Sequence, residues 1–453
     1  MAPVPLDPIP LENSKFNLDI FSVAGFFGGD EVVEAMATLH LYKGRKWRGW
    51  YNSPGAYTVA KHLGRIADSR FWRALFPGAW QDPATAFSLD GKKGPKYLAV
   101  LSGTEMPTGH AGYLLTEFVK KLAGKDLWDR DHRRTASTSV TIVDIKRVIK
   151  LDNLSISSSS LHLLISYFTM LSSIACAVFS FLFFNDKFCF SAILLGTLIS
   201  GTSSLVIGTG SLSLESVFKP APGSPPGDGV LLGQSFIVLR GSESDVNAIT
   251  KGRFCLHMTD HPSYRNIGIC AFLYFLQFLA QLFLIPQGNL PGQLMYLASF
   301  VIAWINNCVV ASIDKEEVQT NLLADSVKME TTKFAMPNRT TAVMFTCLAL
   351  RRAADEKKSC PAYNDFVPKK LLEHLLPNDT RVWQEWRRIV LQVLESKSSP
   401  EYLTGALNEP EIQELRYDQQ ELLKTLLHDA DKAYKKYQEI ISNGGVHSEQ
   451  CSI

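Results

Sequence analysis

The sequence predicts a polytopic α-helical membrane protein in which four transmembrane helices form two hairpins. Soluble segments are expected before, between and after the two pairs. Three observations lead there. Four apolar stretches between Leu161 and Ile313 contain no Asp, Glu, Lys or Arg; short polar turns join them two by two; and the charged residues crowd into the flanks. A helix needs about 20 apolar residues to cross a hydrocarbon core about 30 Å thick, and soluble core helices seldom reach that length without a charge.

The predicted spans are residues 161–184, 188–210, 267–285 and 294–313. Asn185, Asp186 and Lys187 make the first turn, and Pro286-Gln-Gly-Asn-Leu-Pro291 makes the second. Whole-chain averages conceal this pattern. A hydrophobic content of 46% and a charged content of 20% describe an ordinary soluble protein, because they mix a very apolar third with charged ends. The net charge of +2 gives no electrostatic case for nucleic acid as a partner.

The first residues, MAPVPLDPIPLENS, have neither the basic nor the apolar region of a secretory signal peptide, so the first span is expected to act as its own insertion signal. Arg130, Arg133, Arg134, Lys146, Arg147 and Lys150 precede it, whereas only Lys187 lies in the turn after it. Basic residues stay on the cytoplasmic side. The N-terminus is therefore expected in the cytosol and, with four spans, so are residues 211–266 and the tail 314–453. The predicted location is a membrane crossed several times, with both termini cytosolic and only two small turns on the far side. Sequons at Asn153, Asn338 and Asn378 would then stay unglycosylated. No C-x-x-C pair occurs among the eight cysteines, so neither a disulfide framework nor structural zinc is expected.

The soluble parts read as follows. Residues 1–150 form a cytosolic N-terminal domain and linker, mixed but mostly helical. Its helices are expected over Asp30–Leu41, Tyr57–Leu75 with an interruption at Gly64, and Gly112–Leu122. Lys96–Ser102 reads as a strand, and Thr135–Thr141 and Ser155–Ser160 as Ser/Thr-rich linker. Between the hairpins, Lys219–Gly229 is expected to be an extended linker, because its prolines and glycines defeat helix and strand. A small β-α-β unit follows: strand Gln234–Leu239, helix Ser244–Thr250, strand Arg253–Met258. The tail is helical. Arg381–Ser396 places Val382, Trp386, Ile389, Val390 and Val393 on one face. Glu411–Ile441 carries a stripe of Ile412, Leu415, Leu422, Leu426, Ala430, Ala433, Tyr437 and Ile440. Thr341–Leu350 is apolar but too short to span, and is expected to pack under the tail.

Few residues suggest chemistry. Gly196, Ser200, Ser204 and Gly208 put small residues every fourth position along the second span, a ridge that lets another helix approach closely. Packing inside the four-helix bundle is the ordinary explanation, and a homo-oligomer seam the alternative. Gln277 and Gln281 share a face of the third span, and Asn306 and Asn307 sit in the fourth. They are structural glue or the lining of a solute path. Against a path, no ionisable residue occupies the interior of any span, where ion-coupled transporters usually hold one. Cys255, His257, Asp260 and His261 form the one metal-capable cluster, weak because the segment reads as strand and turn ending at Pro262. No cofactor is expected. Trp47, Trp50, Tyr51, Trp72 and Trp80 are interleaved with Lys43, Arg45, Lys46, Arg48, Arg65, Arg70 and Arg73. Solvated charge around a Trp-rich core explains that pattern, and contact with anionic headgroups is the alternative. Phosphate-loop, zincin and nucleophile-elbow patterns are absent. Gly227-Asp-Gly-Val-Leu-Leu-Gly233 only echoes a dinucleotide loop and is read as spacing.

Two stretches around the second hairpin, Val246-Asn-Ala-Ile-Thr-Lys-Gly-Arg-Phe254 and Gln277-Phe-Leu-Ala-Gln-Leu-Phe-Leu-Ile-Pro-Gln-Gly288, together with Leu375-Leu-Pro-Asn-Asp-Thr-Arg-Val-Trp383, resemble a family of fungal multi-pass membrane proteins over roughly residues 150–440. The resemblance implies a four-span architecture and carries over no catalytic residue. The leading expectation is a non-enzymatic, membrane-anchored interaction or scaffold protein, with the lipid bilayer and cytosolic proteins as partners. A transporter or channel subunit, and a membrane-bound enzyme using His257, Asp260 and His261, are the alternatives.

Overall fold

The computed structural model describes residues 25–442, apart from 127, 129–133, 136–137, 150–153, 158, 216–219, 223, 259–263, 357–367 and 397–400. In chain order the described helices are α1 (Gly29–Leu41), α2 (Ala56–Ile66), α3 (Arg70–Leu75), α4 (Pro83–Ala86), α5 (His110–Lys121), α6 (Ser160–Leu182), α7 (Lys187–Ile207), α8 (Glu243–Thr250), α9 (Arg265–Leu284), α10 (Leu290–Ala311), α11 (Lys315–Ser326), α12 (Arg339–Glu356), α13 (Pro368–Leu375), α14 (Arg381–Ser396), α15 (Glu401–Gly405), α16 (Pro410–Gln413) and α17 (Tyr417–Ser442). The strands are β1 (Lys96–Ala99), β2 (Glu105–Pro107), β3 (Lys125–Asp126), β4 (Thr138–Val148), β5 (Ser211–Glu215), β6 (Gly229–Leu232), β7 (Phe236–Arg240), β8 (Arg253–His257) and β9 (Val327–Met336). They fall into two compact units, each assembled from three separate pieces of chain.

The first unit comprises Met1–Gly91, Leu151–Leu214 and Phe254–Gln319. Its frame is α6, α7, α9 and α10, four helices long and apolar enough to cross a membrane, within a few residues of the predicted spans. Three of the four start on a chemical signal. The Ser159 hydroxyl caps α6, Asp186 accepts from the amides of Phe188 and Cys189 at the head of α7, and Asn289 with Pro291 opens α10. Leu164, Phe168, Leu171 and Leu182 of α6 are each more than 60% exposed, an outward apolar face that water would penalise and lipid would not.

α6 and α7 pack against one another. α9 and α10 follow one another through the Ile285–Gln287 turn but are not among the closely packed helices. Instead α2 lies along α9, α1 lies along α10, and α1 packs on α2. The two N-terminal helices thus provide the contacts a simple hairpin would make. Their close approach rests on Gly55, which has φ of +64° and whose missing side chain leaves room for Gly29. Residues 25–91 therefore belong with the helical bundle rather than with a separate N-terminal domain.

The second unit comprises Lys92–Lys150, Glu215–Arg253 and Thr320–Ile453. Its centre is a seven-stranded mixed sheet in the order β2-β1-β6-β7-β4-β9-β3. β4 runs parallel to β7 and antiparallel to β9, with Asp144 directly opposite Arg240, and these two form an ion pair across the strands. Side chains alternate along β4. Val140 and Ile142 join Phe236, Val238 and Phe334 in one core with α12, α14 and α17, while α8 packs on β4 beside Ile145. Trp386 is the largest fully buried side chain, and its indole N–H donates to the Leu426 carbonyl at 3.2 Å.

Several expectations for this unit need correction. Within the expected linker Thr135–Thr141, the residues from Thr138 onward instead begin the central strand β4. Gly229–Leu232, read as spacing, is the interior strand β6. Asp228 beside it accepts the Gly241 amide at 2.9 Å, and the Tyr97 hydroxyl donates to the Gly227 carbonyl at 2.6 Å. The expected β-α-β unit is split, because β7 belongs to the large sheet whereas β8 pairs with β5. The tail stripe is buried as expected except at Leu422, which is 43% exposed, and α12 packs beneath α17.

Candidate functional site

Residues Arg45–Gly55, which join α1 to α2, run into the four-helix frame. Arg45–Arg48 makes one 3₁₀ turn, and an extended stretch follows. Its track is the small-residue ridge of α7. An added side chain at Gly208 would overlap Lys46, one at Gly201 would overlap the Trp50 indole, and one at Gly196 would overlap the Asn52 amide. Ser204 and the Ser200 carbonyl lie against Gly49 in the same way. The ridge formed by Gly196, Ser200, Ser204 and Gly208 is therefore filled by a strip of backbone from the same chain. The pattern signals close approach but does not say what approaches, since helix and extended chain both need small residues.

The strip ends at the middle of the bundle. Gly196 lies 11 residues from the Ile207 end of α7, about 16 Å at 1.5 Å per residue. There Asn52 and Ser53 touch all four helices. The Asn52 amide N–H donates to Ser173 of α6 at 3.2 Å, its side chain donates to Ser299 of α10 at 3.0 Å, and its carboxamide rests on Gly196 of α7. The Ser53 carbonyl accepts from Gln277 of α9 at 3.3 Å. One residue earlier, the Tyr51 hydroxyl donates to Asn307 at 2.7 Å. Of the four predicted intramembrane amides, Gln277 and Asn307 thus hold the inserted strip. Gln281 and Asn306 are buried without a hydrogen-bond partner among the described residues, as are the hydroxyls of Tyr274, which faces Ser200 and Ser53, and Tyr296, which faces Asn52.

The basic-aromatic cluster proves heterogeneous. Trp47 and Trp80 are exposed, but Tyr51, Arg45 and Arg48 are buried, so the charge around this segment is not the solvated shell the sequence suggested. Arg45 donates from Nε to Thr38 and from Nη1 to Ser166, both at 3.0 Å, which ties α1 to α6. On α1, Glu31 accepts from the Trp304 indole of α10 at 3.3 Å, and Glu34 pairs with Lys315 at the start of α11. Asn52 and Ser53 were missed in the sequence, and Arg45 and Arg48 were read there as solvated charge or a headgroup contact. The available signal was Asn52-Ser-Pro-Gly55, a turn between two amphipathic segments; its depth left no mark.

His257 ends β8, while Asp260 and His261 lie outside the described residues. Among the described residues no group of three His, Cys, Asp or Glu is placed to hold a metal ion.

His40 is fully buried in α1, with Nδ1 3.1 Å from the Gly210 carbonyl and its ring against Phe87. Burial lowers its pKa from 6.5 to about 4, and burial likewise lowers that of His62 nearby. The unfolded chain therefore binds more protons than the folded chain between about pH 6.5 and pH 4, and folding stability falls as pH drops through that window. His40 alone accounts for up to about 3 kcal/mol. The apparent melting temperature in detergent is expected to fall steadily below pH 6.5. His40→Gln, which keeps an N–H donor without a titrating ring, should flatten that slope; an unchanged slope would remove His40 as its cause.

No family model, curated protein or solved structure matches the chain.

Proposed function

We propose that the chain is a non-enzymatic, membrane-anchored platform whose four spans carry one soluble α/β unit on the cytosolic side. The observation that supports this most strongly is the composition of the large sheet. β4 precedes α6, β6 and β7 lie between α7 and α9, and β9 follows α10, yet β7, β4 and β9 are neighbouring strands. Strands that share hydrogen bonds share an aqueous compartment. An even number of crossings must therefore separate β4 from β7, and again β7 from β9. Two hydrophobic helices in each interval satisfy that requirement, and the charge distribution around the first span favours the cytosol as the shared side.

The bundle interior argues against a solute route as its main purpose. Gln277 and Asn307 spend hydrogen bonds on the inserted strip rather than on a lining. The working surface is then the soluble unit, and its partners are cytosolic proteins. In liposome reconstitution, the chain is expected to show no solute-selective flux, and Gln277→Leu or Asn307→Leu should lower thermal stability without altering permeability. Flux that disappears in these two variants would favour a transporter instead.

A further inference from the structure

The turn between α1 and the inserted strip has an outer side as well as an inner one. Lys43, Arg45, Lys46 and Arg48 place four basic residues and no acidic one within six positions. Arg45 and Arg48 are buried, whereas Lys43 is exposed, Lys46 is half-buried and Trp47 is 60% exposed. Among the described residues the Lys43 and Lys46 ammoniums have no carboxylate partner. The inner arginines add to the positive potential of the turn, and the outer lysines and the indole are free to meet something else.

Position says what they meet. The Cα and Cβ of Lys46 lie against Gly208, the residue that closes α7. The Lys43 amide donates to the Ile156 carbonyl at 2.9 Å, three residues before Ser159 caps α6. The turn thus sits where two apolar rods end, level with Leu161, which is 63% exposed and begins the outward apolar face of α6. Indoles settle at that boundary, and lysine stems lie along apolar surface while their charges reach out of it. The pattern recurs at the head of α9. Trp72 fills the room left by Gly268, about 5 Å along the helix from Arg265. Beside it Phe71 is 62% exposed, and Arg70 is exposed without a carboxylate partner among the described residues. We propose that the Lys43–Trp47 turn docks on anionic phospholipid headgroups of the surrounding leaflet. The Trp47 indole lies among the headgroups, and the two ammoniums pair with their phosphate and carboxylate oxygens. This docking rests on the four spans and not on the platform reading.

The test uses the full chain in nanodiscs of phosphatidylcholine and phosphatidylserine, with bromine on the acyl chains of one lipid or the other at equal mole fraction. Bromine quenches nearby indoles, and the share due to Trp47 is the difference between the parent and Trp47→Phe. Brominated phosphatidylserine is expected to quench that share more than brominated phosphatidylcholine, a preference of about fivefold for each lysine near the surface. Lys43→Gln with Lys46→Gln, or high salt, should bring the two lipids level, whereas Lys43→Arg with Lys46→Arg should keep the preference. Equal quenching by the two lipids in the parent would overturn the docking, as would a Trp47 share that neither lipid quenches. A preference that persists in the glutamine pair would overturn the role of the lysines. Quenching of the remaining tryptophans in Trp47→Phe, by either lipid, reports the spans themselves and separates their failure from that of the docking turn.

Discussion

Leucine in place of Gly196 is expected to expel the Lys46–Asn52 strip from the bundle. The new side chain would occupy the space of the Asn52 carboxamide and press on Gln277, whose Nε2 lies 3.1 Å from the position of an added Cβ. Overpacking a filled interior costs about 1–3 kcal/mol. Displacing Asn52 and Ser53 also breaks their hydrogen bonds to Ser173, Ser299 and Gln277, each worth about 1 kcal/mol. Trypsin should then cut after Arg45 or Arg48, both buried in the parent protein, and the apparent melting temperature should fall. Leu194→Ala, at an outward position of the same helix that is 41% exposed, serves as the control and should do neither. If the small-residue ridge were instead a seam between copies, Gly196→Leu would change the oligomeric state and leave the tryptic pattern alone.

The second large effect is expected at Trp386. Truncation to alanine removes the largest fully buried side chain and its hydrogen bond to Leu426, a loss of about 3–5 kcal/mol. The two units have separate cores, one around Trp386 and one among the helices of the bundle, so the damage should stay in the α/β unit. Cys347 is fully buried in that unit, whereas Cys176, Cys189 and Cys270 are buried in the bundle helices. With Cys360 and Cys451 replaced by serine to lower background, thiol labelling at Cys347 during heating should begin at a markedly lower temperature in Trp386→Ala. Labelling of the bundle cysteines should keep its parent profile. Simultaneous early labelling of both sets would mean that the units unfold as one.

The long apolar helices were legible because nothing but lipid or a large core rewards twenty residues without charge, and their caps lie where Ser159, Asp186 and Asn289 suggest. Periodicity also revealed α14 and most of the α17 stripe. The sheet was harder to see. β6 begins within a Gly/Pro-rich run, and β4 begins within a Ser/Thr cluster whose hydroxyl residues suit a strand as well as a linker. β4 takes its strand state from β7 and β9, about 90 residues or more away, and β6 lies between the adjacent β7 and the distant β1, so local pattern alone could not place them. The inserted strip was the least legible part. Arg45 and Arg48 advertise a surface, and only the hydroxyls of Thr38 and Ser166, in two other elements, make the burial of Arg45 possible. The ridge on α7 was found from spacing alone, but its occupant had to come from the fold.

The sidedness of the soluble segments can be read directly with single cysteines at exposed positions in a background lacking native cysteines. Ser102, Gln234 and Lys424 represent the three pieces of the α/β unit, and Lys187 and Gln287 the two short turns. Sealed cells treated with a membrane-impermeant maleimide should label Lys187→Cys and Gln287→Cys, and should label the other three only after the membrane is opened. Labelling of one or two of Ser102→Cys, Gln234→Cys and Lys424→Cys from outside, with the third protected, would separate strands that the sheet joins and would contradict the four-span arrangement.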